Sequence, residues 1–439
     1  MSGEKERGER PVPSPRRHIS RGRNEKGAVL PLALFLLVIM AGLVLTFLSM
    51  GGMEPRISRN LSDNTQARYS AEAGIEWAYD QLVAASSQVN GWNTLLATNG
   101  GQMATNMLLP GLPATSGTFS VTVRNDTQPG DPQITGQPVD PGGLTNDTNN
   151  VVILTSTGTY NGMTRQIQEV VTNITLNLQG AMNLPGVGTN TMFTGDPFMI
   201  TGNDTNLDNS AGTCPAGWGI SVANAATELA VQSSLNAGQK KYVTGKRQDP
   251  ALAGQGDNTI APDATLTPAM IATFVNTVKA LADISLQASG SNKLSYTNLG
   301  NTCSTNLNDS NCWGTTTNPK IVYIKGTLDP VQAFYALSIS GISKGAGILI
   351  VEDGDVLITD SFHWEGLILI TGQYVGLRYS GGGGPEGIYG GVVVNETASS
   401  NSEVEVLAEG NPKIFYSCQA LNNVRNRRKL FSVTSWREL

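Results

Sequence analysis

The chain has 439 residues, of which 15% are charged, 6% aromatic and 50 glycine; 39% are hydrophobic. A chain so rich in Gly, Thr, Asn and Ser, yet still this apolar, is neither disordered nor a helical bundle, and its length suits two or three domains. The net charge of −6 is uneven: residues 1–26 carry eight basic and four acidic groups and the remainder is acidic, which argues against a nucleic-acid partner for the body. His18 and His363 are the only histidines, so a His-based zinc site or a Ser-His-Asp enzyme has little to build on.

Residues 1–27 form a basic leader with Arg16, Arg17, Arg21, Arg23 and Lys26. The run from Gly27 through Met53 has no charge; as a helix it spans about 40 Å, more than a ~30 Å hydrocarbon layer. Residues 28–53 are therefore expected to cross a membrane, with the leader cytoplasmic and everything after Glu54 exported. A cleaved secretory signal fits less well, because the run is too long and lacks a small-x-small site. Pro55 is expected to bend or restart the helix. Residues 54–87 continue it, with Ala67, Ala71, Ile75, Ala78 and Leu82 on one face and Arg68–Glu72 as an i,i+4 pair.

The leader ending in Lys26-Gly27, the apolar helix opened by Ala28, and the continuation ISRNLSDNTQARYSAEAGIEWAYDQL together resemble type IV pilus minor pilins of the PilX kind, over roughly residues 20–85. The resemblance implies cleavage by a prepilin peptidase between Gly27 and Ala28 and N-methylation of Ala28. It implies a bacterial inner-membrane precursor with one span, which later moves to a pilus or the cell surface. Its partners would be other pilins, the peptidase and the inner-membrane assembly platform. The filament core would be built from Leu30, Leu32, Leu34, Phe35, Leu36, Leu37, Val38, Ile39, Leu43, Val44, Leu45 and Phe47. Major pilins carry a glutamate at the fifth mature position, where this chain has Leu32, which fits a minor subunit rather than the repeating one.

Residues 88–115 read as irregular. Over 88–182 we expect an antiparallel sheet: 117–126 alternates Phe119, Val121 and Val123 with polar residues, and 150–160 and 163–178 flank an Asn161-Gly162 turn. STGTYNGMTRQIQEVV also looks like the sheet of this pilin family. From residue 183 the texture changes. Residues 268–286 have helical spacing, and short strands follow at 320–329, 337–343, 347–359, 365–379 and 387–396, with glycines opening apolar runs at Gly347, Gly366 and Gly391. The fold class is thus α+β followed by all-β, with 183–421 a β-helix-like solenoid and a hairpin β-sandwich as the alternative. IFYSCQALNNV and SWREL resemble C-terminal domains appended to large proteins of the same kind. Residues 422–439 read as a solvated basic tail, able otherwise to meet an acidic neighbour.

Cys214, Cys303, Cys312 and Cys418 allow three pairings. A local Cys303–Cys312 bond is the first choice, and it leaves Cys214–Cys418. Asp204, Asn206 and Asp208 have the D-x-N-x-D opening of a calcium loop, but Pro215 stands where the twelfth-position glutamate belongs; otherwise no metal or cofactor is expected. Glu352, Asp353 and Asp355 read as a corner rather than an acid–base pair, His363 as isolated, and Gly381–Gly384 as a flexible loop. We expect a non-enzymatic filament component. The alternatives are a type II secretion pseudopilin or a membrane-anchored surface β-helix that binds or cleaves glycans.

Overall fold

The computed structural model describes residues 29–86, 91–109, 111, 113–186, 190–247, 259–263, 265–290, 292–328, 335–381, 386–398, 404–425 and 427–439. The chain divides into two units, one ending at Thr65 and one beginning at Gln66. Helix α1 runs from Val29 to Ser86. Pro55 lies within it without interrupting it, so the restart expected there does not occur. The proline has no N–H, so one i→i−4 bond is missing while the flanking turns hold the helix.

From Gln66 onward α1 lies on an antiparallel sheet. Its buried face is Ala67, Ala71, Ile75, Ala78 and Leu82, the stripe seen in the sequence. The approach is close because the residues are small. A Cβ on Gly158 would overlap the backbone of Ala67 and Ala71, and one on Gly74 would overlap the Ser156 hydroxyl. The sheet holds β1 (Gln102–Leu108), β2 (Thr118–Asn125), β3 (Val151–Tyr160) and β4 (Met163–Asn173), in that order. Asn161 and Gly162, both at positive φ (46° and 81°), turn β3 into β4, the arrangement an Asn-Gly hairpin requires. Strand β1 lies in a segment read as irregular. It is an edge strand with two register shifts and Asn106 at φ 48°, so no clean alternation marks it.

The next strands are β5 (Gly180–Leu184), β6 (Trp218–Val222), β7 (Asn318–Lys325), β8 (Tyr335–Ser340), β9 (Ser343–Glu352), β10 (Asp355–Asp360), β11 (Phe362–Gln373), β12 (Leu377–Gly381), β13 (Ile388–Ala398), β14 (Val406–Gly410) and β15 (Lys413–Tyr416). Two parallel sheets result. One contains β6-β5-β13-β11-β9-β7, with β15 beside β13; the other contains β8-β10-β12-β14. From β7 to β14 the chain alternates between them, and each strand pairs in parallel with the strand two further on. A hairpin sandwich would pair consecutive strands, so that alternative is set aside. At one end of the two sheets the edges are Ile284–Gln287 beside β7 and Leu294–Thr297 beside β8; at the other they are Ile260–Pro262 beside β6 and Thr191–Phe193 beside β14.

Side chains on the two faces of the β7–β13 sheet go to different cores. Val322, Ile324, Leu349, Val351, Ile368, Ile370, Val392 and Val394 face the interior shared with the second sheet. Ile321, Ile348, Ile350, Leu367, Leu369 and Val393 face outward. There they are covered by α2 (Pro268–Val278) and α3 (Cys418–Arg425). Burial on both faces explains why these strands read as continuous apolar runs. Helix α2 is shorter than its spacing suggested. After a 3-10 turn at Lys279–Leu281, Asp283 bonds to Ile321 through both its N–H and its carboxylate, each at 2.8–2.9 Å, and draws residues 284–287 into the sheet instead.

The glycine column also differs from the sequence reading. Gly347 pairs with Gly366, and Gly366 with Gly390 rather than Gly391. Their φ values are 132°, 127° and 133°. A Cβ on any of the three would overlap a backbone carbonyl of the preceding strand.

The chain then returns to its first sheet. The last strand, β16 (Phe431–Glu438), pairs antiparallel with β4. The expected solvated tail is therefore a helix end and a fifth strand, because it brings an anchor: Phe431 is buried beside Tyr79 and Trp92, and the Tyr79 hydroxyl donates to its carbonyl at 2.8 Å. The parallel-sheet region is thus an insertion between β4 and β16, not an appended C-terminal domain. Its two ends leave side by side, with Ile174 N–H donating to Leu430 O at 2.7 Å.

Two consequences can be measured by chemical denaturation. Gly366→Val should lower stability by more than about 2 kcal/mol, through strain at positive φ and the carbonyl overlap. Phe431→Ala should cost roughly 3–5 kcal/mol.

Candidate functional site

The first half of α1 is the most distinctive surface of the molecule. Leu30, Leu32, Leu34, Phe35, Leu36, Leu37, Val38, Ile39, Leu43, Val44, Leu45 and Phe47 are all exposed, from 46% at Ile39 to 80% at Leu30. Among the described residues this helix alone is long and apolar enough to cross a membrane, and its apolar stretch is not buried. The Thr46 hydroxyl donates to Gly42 O at 2.8 Å, so its polar group needs no outside partner. An apolar surface on every side suits lipid or several helical neighbours at once, but not one packed face. Each leucine or phenylalanine removed from water would contribute roughly 1.5–3 kcal/mol. Gly27, Ala28 and the rest of the leader lie outside the described residues.

The charges on α1 begin where the apolar run ends. Arg59 and Asp63 approach to 3.9 Å, and further along Arg68 and Glu72 form an ion pair at 3.0 Å. Glu76 and Asp80 receive Arg428, which also lies over the Tyr79 ring. Arg427 and Lys429 both meet Asp283. The basic cluster near the C-terminus therefore meets acidic neighbours within the same chain, a pairing with α1 and residue 283 that sequence spacing could not reveal.

The structure joins Cys303 to Cys312 and Cys214 to Cys418. Asp204 serves the second bond: its two oxygens accept the N–H groups of Cys214 and Cys418, both at 2.9 Å. Asn206 and Asp208 bond instead to Ser210 in the following turn. The three residues of the calcium-like motif are thus engaged separately and do not converge. Among the described residues no group of three or more His, Cys, Asp or Glu side chains is placed to hold a metal.

Glu352 meets Lys279 and Lys325 and accepts from the Tyr323 hydroxyl at 2.6 Å, while Asp353 also pairs with Lys325. Burial opposes ionisation of Glu352, but these donors outweigh it and hold its carboxyl below the usual value; burial first, then Glu352, push the Tyr323 hydroxyl up. Asp353, at φ 57°, turns the chain into β10. Gly381 ends β12, and residues 382–384 lie outside the described residues. His363 is not isolated: its Nε2 lies 3.1 Å from Glu365 Oε1, because β11 places both on one face at i and i+2, a signal that strand alternation contains.

No protein-family model and no curated protein matches the chain. A solved structure, the competence-associated pilin ComZ from Thermus thermophilus, aligns with a TM-score of 0.23 and 12% identity, over 86% of this chain and 97% of that one. A likeness this low assigns neither fold nor function here.

Asp283 yields a pH prediction. Burial raises its pKa, but Ile321 N–H, Lys429 and Arg427 together hold it below the usual value. Its ion pairs should stabilise the fold above the ordinary carboxylate pKa of about 3.9 and be lost as pH falls through the lower folded value. Asp283→Ala should cost roughly 1–3 kcal/mol at pH 7, and the difference from the parent should vanish in acid, as read from urea midpoints across pH.

Proposed function

We propose that the chain is a pilin-like structural subunit, present in low copy number in a type IV filament or a related assembly. The observation that carries this is α1 itself: one unbroken helix whose first half is apolar and exposed on all sides and whose second half is built into a folded sheet. A helix of that kind can exchange lipid for the apolar helices of other subunits without changing conformation.

In this proposal the precursor sits in the bacterial inner membrane with its basic leader in the cytoplasm. A prepilin peptidase cuts between Gly27 and Ala28, and the new Ala28 amino group is methylated. The assembly platform then transfers the helix from Leu30 to Phe47 into the filament core among other pilins. Leu32 brings no carboxylate into that core, which suits a scarce or terminal position. The parallel-sheet region forms the coils of a β-helix carried outward, held by two disulfides, with no cofactor and no catalytic role.

The test is the mature N-terminus, read by mass spectrometry from cells with and without the peptidase. Methylated Ala28 in the first and Met1 in the second is the expected result; Met1 in both refutes processing. Co-purification with pilins rather than with secretion-channel proteins separates a pilus from a type II pseudopilus. Leu37→Lys should remove the protein from the filament fraction, since a lysine at the helix centre costs about 2.5–3.5 kcal/mol on membrane insertion.

A further inference from the structure

A second site lies on the parallel sheet. A cavity of about 240 Å³ opens beside β9 and β11, lined by Lys344, Gly345, Ala346, His363 and Glu365, with Gly300, Gly314 and the Cys303 end of the disulfide loop as its wall. Its shape is held by covalent and steric constraints. Cys303–Cys312 closes the loop. Gly300 and Gly314 sit at φ 81° and 98°, so close to β9 that a Cβ on either would overlap the carbonyls of Lys344 or Ala346. A Cβ on Gly345 would strike the Trp364 ring. Any other residue at these glycines would force the wall and the strand apart.

The polar groups are arranged in register. Lys344 pairs with His363 across the ladder, and Ala346 with Glu365, so one cation, one imidazole and one carboxylate share a face. His363 Nε2 meets Glu365 Oε1 at 3.1 Å. Glu365 Oε2 is buried with no hydrogen-bond partner. Lys344 is exposed, and its ammonium forms no ion pair among the described residues. A buried acceptor without a donor costs free energy until a ligand or water reaches it.

These features limit the occupant. The volume falls below the ~300–1,000 Å³ of pockets for drug-sized ligands, which leaves room for about one sugar ring. A simple anion would meet Lys344 but bring no donor to Glu365 Oε2. A neutral polyol would satisfy Glu365 and leave Lys344 unpaired. A ring bearing both hydroxyls and a carboxylate answers both, and the glycine, alanine and disulfide wall suits its C–H face. We infer that this cavity binds a hexuronic acid residue of an acidic glycan, with Lys344 facing the sugar carboxylate and Glu365 Oε2 accepting a hydroxyl oriented beside His363.

The full chain in detergent micelles should be titrated calorimetrically with D-glucuronate, D-glucose and acetate. Glucuronate is expected to bind, with glucose and acetate weaker by roughly tenfold or more. Lys344→Met and Glu365→Gln should each weaken glucuronate by a similar factor, while Lys344→Arg retains it; circular dichroism and intact disulfides would show that the variants are folded. The inference is overturned if glucuronate does not bind, if acetate binds as well as glucuronate, or if both loss variants bind like the parent. It stands or falls separately from filament assembly, because none of these readouts involves α1.

Discussion

The close seating of α1 on the first sheet is the contact on which the rest of the molecule depends. It requires small residues on both partners: Ala67, Ala71 and Gly74 on the helix and Gly158 on the strand. At that distance the helix buries Ile75 and Leu82 against Phe119, Val121 and Leu154. The sheet would otherwise leave an apolar face open, and five strands with one bare face are not a stable unit in water. The helix supplies that cover and then continues toward the N-terminus as an apolar rod. One element thus combines a segment long and apolar enough to cross a membrane with a packed one, and the small-residue stripe marks where its packing role begins.

The second constraint is closure of the same sheet by the C-terminal strand. Because β16 pairs with β4, about 250 intervening residues leave and re-enter at neighbouring positions, Ile174 and Leu430. A large insertion between paired strands adds little loop-closure entropy once it folds by itself. The inserted region is built of parallel strands buried on both faces, with α2 and α3 over the outer one, and belongs to the same compact unit as the first sheet. Asp283, Arg427 and Lys429 fasten its helical cover where the chain returns, and Arg428 reaches α1 from the same turn. The charges that look like a loose basic end in sequence thereby tie the insertion to the sheet that carries it.

Much of this was legible in the order of residues. An uncharged apolar run defines a lipid-soluble helix by composition alone. A four-residue recurrence of small side chains defines a packing face, and Asn-Gly between alternating strands defines a hairpin. These are short-range signals, set by the 3.6-residue and 2-residue periods of backbone geometry. Strand β1 escaped because edge strands with bulges need not alternate, and the end of α2 because Asp283 is held by a residue 38 positions away.

By itself the sequence determined the apolar rod, the small-residue helix face and the strand-rich body, since each follows from local periodicity and the free energy of burying apolar surface. Tertiary structure alone decided which cysteines join, that Gly390 rather than Gly391 completes the glycine column, that the last eight strand residues belong to the first sheet, and that Lys344, His363 and Glu365 share one cavity. Each of these depends on register between segments far apart in the chain. Register is fixed by the summed packing of whole strands, which no single stretch of residues contains.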